Sequence, residues 1–163
     1  MQDLITIRLA QLEDLSLYLR WVNEPAVREN SIDSDQVNLE GHKVWFSNKL
    51  NSENSILLVM ELNKSPIGQI RFDVVNKIAL IDYSVDRGFR EKGFGNILIK
   101  KGIKWFLKTS KVDETDVFRG VVKTFNTPSV KVFIKNGFKE VENLNSKEEK
   151  IFELLLKKTD LTC

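Results

Sequence analysis

The sequence holds one cysteine, Cys163, and one histidine, His42, in 163 residues. A single cysteine excludes an internal disulfide and gives no sign of an oxidising compartment. At the last position its thiol reads as incidental rather than as a nucleophile. One histidine with one cysteine cannot assemble the usual zinc clusters, so no metal centre is expected. No run approaches the about 18 apolar residues of a membrane-spanning helix. The start, MQDLITIRLA, lacks the basic and long apolar stretches of a secretory signal. A cytoplasmic protein without a membrane partner is the expectation. Net charge is only +2, so no global field points to nucleic acid, and any anion site must be local. Repeats, low-complexity tracts and linkers are also missing, which leaves one domain spanning residues 1–163.

Apolar patterning is what the chain has. Hydrophobic residues make up 42%, enough for a core. ITIRL (5–9) alternates as a half-buried strand does. Leu15, Tyr18, Leu19 and Val22 recur at helical spacing, and Asn23-Glu24-Pro25 ends that helix. Asn38 is placed to cap a second helix reaching about Leu50, with Leu39, His42, Phe46 and Leu50 on one face. SILLVMEL (55–62), PIGQIRFDV (66–74) and KIALIDYSV (77–85) read as an antiparallel meander broken at Asn63-Lys64-Ser65 and Asn76-Lys77. A helix follows over 93–108, whose Lys100, Lys101, Lys104 and Lys108 read as a solvated face. VFRGVV (117–122) is a further strand. Thr127 as N-cap with Pro128 at the first position starts a short helix that Gly137 closes. FKEVE and KIFELLLK form a closing strand pair. The fold class is α/β (α+β): a mixed, mostly antiparallel sheet of about seven strands with about four helices.

RGFREKGFGN (87–96) sits between a strand and a helix and concentrates three glycines with two arginines and a lysine. Such a turn exposes backbone N–H groups at a helix N-terminus, where the helix dipole favours phosphate. Gly93 and Gly95 let an anion approach the backbone, and Arg90 and Lys92 add charge. A P-loop would need lysine and serine or threonine where Phe94 and Gly95 stand. The dinucleotide fingerprint would need glycine where Leu98 stands, after a parallel rather than an antiparallel strand. A pyrophosphate is the natural ligand, and a plain loop whose glycines only permit a turn is the alternative.

Arg90-Glu91-Lys92-Gly93-Phe94-Gly95 matches R/Q-x-x-G-x-G/A and resembles the pyrophosphate loop of the GNAT N-acetyltransferase superfamily. Tyr83-Ser84-Val85 ends the preceding strand as in that family. Asn126, Ser129, Phe133, Gly137 and Phe138 resemble its second signature, and the element order agrees from Ile5 to about Lys157. The resemblance implies acetyl-CoA as acyl donor, bound in a V-shaped splay between strands 77–85 and 117–122. By the same resemblance, Arg90, Glu91, Lys92, Gly93, Phe94, Gly95 and Asn96 hold the pyrophosphate through their N–H groups. The backbone of Tyr83, Ser84 and Val85 pairs with pantetheine and polarises the thioester carbonyl, as an oxyanion site does. Asn126 meets the pantetheine arm, and Phe133 packs on the cofactor or in the core.

Many relatives carry tyrosine, the proton donor to the departing thiolate, where this chain has Phe133. Tyr83 is the alternative hydroxyl, or the thiolate leaves unassisted. Glu61, Asp73, Asp82 and His42 are candidates for the base that takes the amine proton. In the acceptor segment, Trp21, Asn23, Arg28, His42, Trp45 and Phe46 resemble the subgroup that acetylates nucleotide-linked amino sugars of pseudaminic and related nonulosonic acid synthesis. That implies a UDP-linked 4-amino-4,6-dideoxy sugar, contacted by Trp21, Asn23, Arg28, His42, Trp45 and Arg71. Ribosomal protein N-termini, aminoglycosides and a non-catalytic acetyl-CoA sensor remain open. A monomer and a homodimer are equally compatible with the sequence.

Overall fold

The computed structural model describes residues 3–157, so Cys163 lies outside the described residues. The chain forms β1 (Ile5–Leu9), α1 (Leu15–Val22), α2 (Pro25–Asn30), α3 (Leu39–Asn51), β2 (Ser55–Leu62), β3 (Ser65–Val75) and β4 (Ile78–Val85). It continues through α4 (Phe94–Phe106), β5 (Val117–Lys123), α5 (Thr127–Lys135), β6 (Lys139–Val141) and β7 (Glu149–Leu155). The seven strands make one sheet in the order β1-β2-β3-β4-β5-β7-β6. Only β4 and β5 run parallel. The α/β architecture expected from the patterning is therefore present.

Local chemistry explains most boundaries. Asn63-Lys64 and Asn76-Lys77 take positive φ at both turn positions, as two-residue hairpins require. Asn38 caps α3, its side-chain oxygen accepting from the Gly41 N–H at 2.7 Å. Gly137, at φ +85°, ends α5.

Three local expectations are corrected. Pro25 does not merely stop α1; it opens the six-residue α2, because its fixed φ suits a first helical position. The cap of α5 is Asn126, whose oxygen accepts from the Ser129 N–H, and Thr127 is already helical. The helix expected over 93–108 spans Phe94–Phe106, with Gly93 outside it at φ +84°.

Helices cover the two sheet faces unequally. Against α4 and α5 lies the larger core, including Ile70, Phe72, Leu98, Phe106, Phe118, Phe133 and Phe152. Against α1 and α3 lies a smaller one: Tyr18, Trp21, Phe46, Leu57 and Val59. Among the described residues, no helix is long and apolar enough to cross a membrane.

Candidate active site

The parallel pairing of β4 with β5 covers only Ile78–Leu80 against Val117–Arg119. Beyond Leu80 the strands part, and the β4 edge from Ile81 to Val85 has no β5 partner. An unpaired strand edge presents N–H and C=O groups to whatever enters the gap.

At the end of that edge the chain turns into the glycine-rich segment. Gly93 adopts the left-handed conformation, and a Cβ built there would meet no atom within 4 Å, so the loop has open space before it. Among the described residues, no protein acceptor meets the N–H groups of Lys92, Gly93, Phe94, Gly95 or Asn96. The segment thus fits a diphosphate: several free donors at the positive end of a thirteen-residue helix.

Side chains from α1 and the turn after it, Arg20, Trp21 and Glu24, brace the loop. Asp86 accepts from the Gly88 N–H at 3.1 Å, from the Trp21 indole N–H at 2.8 Å and from Arg20 at 3.1 Å. Burial pushes the Asp86 carboxyl up, but these donors hold it below the usual carboxylate range. Arg90 donates to the Val85 carbonyl at 3.0 Å and pairs with Glu24. Its guanidinium therefore folds the loop, which leaves the backbone N–H groups to face an anion.

Tyr83 leaves β4 toward α5, where its hydroxyl lies 2.9 Å from Ser129 Oγ. Burial pushes the Tyr83 phenol up to about 12. Phe133 is buried on the same helix face as Ser129. It stacks on Phe152 and meets Phe138 and Tyr83 edge-on. The tip of its ring lies against Gly120: a Cβ there would fall 2.3 Å from Phe133 Cζ. Phe133 is thus part of the core, pointed at β5. Asn126, expected on the cofactor arm, uses its side chain to cap α5.

On the opposite sheet face, alternation along β3 and β4 brings Gln69, Arg71 and Asp73 beside Asp82 and Ser84. Gln69 Nε2 donates to Asp82 at 3.1 Å and to Ser84 at 3.3 Å. Gln69 Oε1 is buried without a partner among the described residues. Asp73 binds Lys49 at 2.6 Å, Ser55 at 2.6 Å and Arg71 at 2.8 Å. Burial pushes the Asp73 carboxyl up, and the Arg71 charge with these donors brings it below its ordinary value. Arg71 lies over the Trp45 ring, 5.0 Å from its centroid. Across the gap Arg119 holds Glu153 at 2.6 Å.

The remaining expected residues divide sharply. Glu61 is committed to Arg8 at 2.7 Å. Of the three candidate bases on strands, Glu61, Asp73 and Asp82, the last is the open one, with 57% of its side chain exposed. His42 is buried between Trp45 and Phe46, with Nε2 3.1 Å from the Leu15 carbonyl oxygen, and burial pushes its imidazole down. Trp21 is buried on Asp86. Asn23 binds both Val37 backbone groups, and Arg28 binds the carbonyls of Val22, Asp33 and Asp35. These four side chains are committed to protein partners, whereas Trp45 and Arg71 lie on the sheet face that carries Gln69 and Asp82. Sequence reasoning missed Gln69 and the Arg119–Glu153 pair. The polar i, i+2, i+4 series in GQIRFD was the available signal for the first. Among the described residues no group of three or more His, Cys, Asp or Glu could hold a metal.

Solved structures share this architecture. A domain from Methanocaldococcus jannaschii superposes with TM-score 0.81 at 21% identity, over 95% of this chain and all of that one. Spermidine N-acetyltransferase from Vibrio cholerae, solved with CoA and spermine, gives 0.78 at 15%, over 93% and 95%. Ribosomal-protein-alanine N-acetyltransferase from Brucella melitensis gives 0.74 at 19%, over 93% and 99%. No curated protein matches the chain. The family model of the acetyltransferase (GNAT) domain matches residues 5–139, from the first strand into β6. With the parted β4–β5 pair and the free amides of the loop, that match places the chain in the GNAT family, as an acetyltransferase that uses acetyl-CoA.

Proposed function

We propose that the acceptor is the 4-amino group of a nucleotide-linked 4-amino-4,6-dideoxy sugar. The observation that carries this reading is the charge balance of the acceptor floor. Lys49, Arg71 and Arg119 stand against Asp73, Asp82 and Glu153, three cations to three anions. A polyamine or an aminoglycoside needs a net acidic cleft, and this floor lacks one. Trp45 under Arg71 instead offers an aromatic and cationic surface suited to a base and its diphosphate.

Bound acetyl-CoA supplies an acyl carbon activated as a thioester. Loop N–H groups from Arg90 to Asn96 hold its diphosphate, and the β4 edge at Tyr83–Val85, where the Val85 carbonyl already accepts from Arg90, holds its arm. That edge also offers a backbone N–H, fixed in advance, to the carbonyl oxygen. Asp82 and Tyr83 are neighbours in a strand, so their side chains leave on opposite faces. Asp82 stands on the acceptor face, open to solvent and positioned by Gln69, and takes the proton the amine loses. Tyr83 stands on the α5 face. With its phenol up at about 12 it stays protonated, and it donates a hydrogen bond to the sulfur as charge collects there.

CoA release should be followed with a UDP-4-amino-4,6-dideoxy sugar, spermidine, an aminoglycoside and an N-terminal ribosomal peptide, with product masses read directly. Acetylation of the sugar nucleotide is expected. Turnover of one of the other three, with none of the sugar, overturns the acceptor assignment.

A further inference from the structure

At the fork of β4 and β5, strand alternation sends each side chain to one sheet face or the other. Ala79 and Ile81 are buried in the larger core, so Leu80 between them leaves on the same face as Asp82. Gly120 lies against Phe133, so its neighbours Arg119 and Val121 leave on that face as well. Leu80 is registered opposite Arg119, the last rung before the strands part. Val121 is the next β5 residue on this face, across the gap from Asp82. The polar groups around them have partners: Asp73 is tied to Lys49, Arg119 to Glu153 and Gln69 to Asp82. Leu80 and Val121 have no such cover and are 37% and 36% exposed. Water held against these two aliphatic side chains is released when an apolar group takes its place.

We propose that Leu80 and Val121 seat the C6 methyl group of the acceptor sugar and so select 6-deoxy over 6-hydroxy sugars. The inference rests on the reading of the acceptor as a 4-amino-4,6-dideoxy sugar with Asp82 as its base. In such a sugar the amine and the methyl group are borne by adjacent ring carbons, C4 and C5. When Asp82 holds the amine, the methyl group lies against the side chains that border Asp82. Leu80 stands two residues before it on the same strand, about 7 Å along, and Val121 stands across the gap. The other borders, Gln69 and Arg71, are polar and suit the ring hydroxyls and the diphosphate. A C6 hydroxyl in the same seat would exchange water for aliphatic walls that offer it no hydrogen bond. Two side chains make a patch sized for one methyl group rather than for a protein partner.

The ratio of kcat/KM for a UDP-4-amino-4,6-dideoxy sugar to that for its 6-hydroxy counterpart of the same ring configuration reads the methyl group directly. The native chain should prefer the 6-deoxy sugar about tenfold, the low end of what one methyl group contributes in an apolar pocket, because both walls are partly open. Val121→Thr and Leu80→Asn keep the side-chain volumes and exchange apolar atoms for polar ones. Val121→Thr alone should lower the ratio part of the way. The two together should bring it near one by slowing the 6-deoxy sugar, with KM for acetyl-CoA unchanged. Leu155→Thr changes an exposed apolar side chain on the same sheet face, paired with Val117 away from the gap, and should keep the ratio. Equal native values, a ratio that survives the double substitution, or one that collapses with Leu155→Thr would each overturn the proposal while leaving the amino-sugar acceptor in place. If neither sugar is acetylated, the acceptor assignment falls, and this inference falls with it.

Discussion

Toward α4 and α5 the sheet turns Ile70, Phe72, Phe118 and Phe152; toward α1 and α3 it turns Gln69, Arg71, Asp73 and Asp82. The first face is held by apolar packing, and the cofactor features beside it are largely backbone. The second carries a smaller apolar cluster under α1 and α3 and adds side-chain ion pairs and hydrogen bonds, which form the proposed acceptor floor. Substitutions on the two faces should therefore separate, one set acting on stability and the other on turnover.

The strongest expected break in that separation is Asp82→Asn. It should lower kcat about a thousandfold, the range of a general base, while the melting temperature stays near the native value. Pre-steady-state acetyl transfer with the preferred amine checks this; unchanged kcat would remove Asp82 from the mechanism. Gly120→Val tests the other face. Its side chain would enter the Phe133 ring, so a loss of about 3 kcal/mol is expected in urea unfolding. Phe133→Tyr sharpens the point. The added hydroxyl would be driven toward β5 and not toward the β4–β5 gap. Stability should fall by about 2 kcal/mol with no gain in kcat, because a buried hydroxyl lacks a partner there. A faster Phe133→Tyr enzyme would show that this ring faces the reaction.

The smallest effect is in pH. Asp73 is lowered in the folded chain by Arg71, Lys49 and Ser55 against its own burial. Its contribution is therefore complete above the ordinary aspartate value and is lost as pH falls through the lower, folded one. Asp14, held down by Arg8 against its own burial, adds to the same limb. Asp73→Asn should flatten the acid limb of the stability profile without abolishing it, whatever it does to the level at neutral pH.

Much of the loop and hairpin geometry was legible because its rules are local. A glycine before a helix, an Asn-Lys hairpin and alternating strand residues act within a few positions. The acceptor side depends on contacts between distant segments. Nothing near Trp21 in sequence announces Asp86, 65 residues away, and nothing near Arg90 announces Glu24. An aromatic or basic residue in the acceptor segment thus looks the same whether it meets substrate or holds up the loop. His42 shows the same limit: its helical spacing gave the correct face, and only the Leu15 carbonyl shows what the imidazole does there.

The bracing of the loop also gives the protein a set of intrinsic optical reporters. Trp21 is hydrogen-bonded to the carboxylate that anchors the loop, and Trp45 lies beneath the guanidinium of the acceptor floor. Indole emission responds to neighbouring charge. Once Trp105 of α4 is replaced by phenylalanine, variants that keep Trp21 or Trp45 alone report separately on the loop and on the Arg71 face, so that on the proposed assignment the order of CoA and amine binding can be timed without a label.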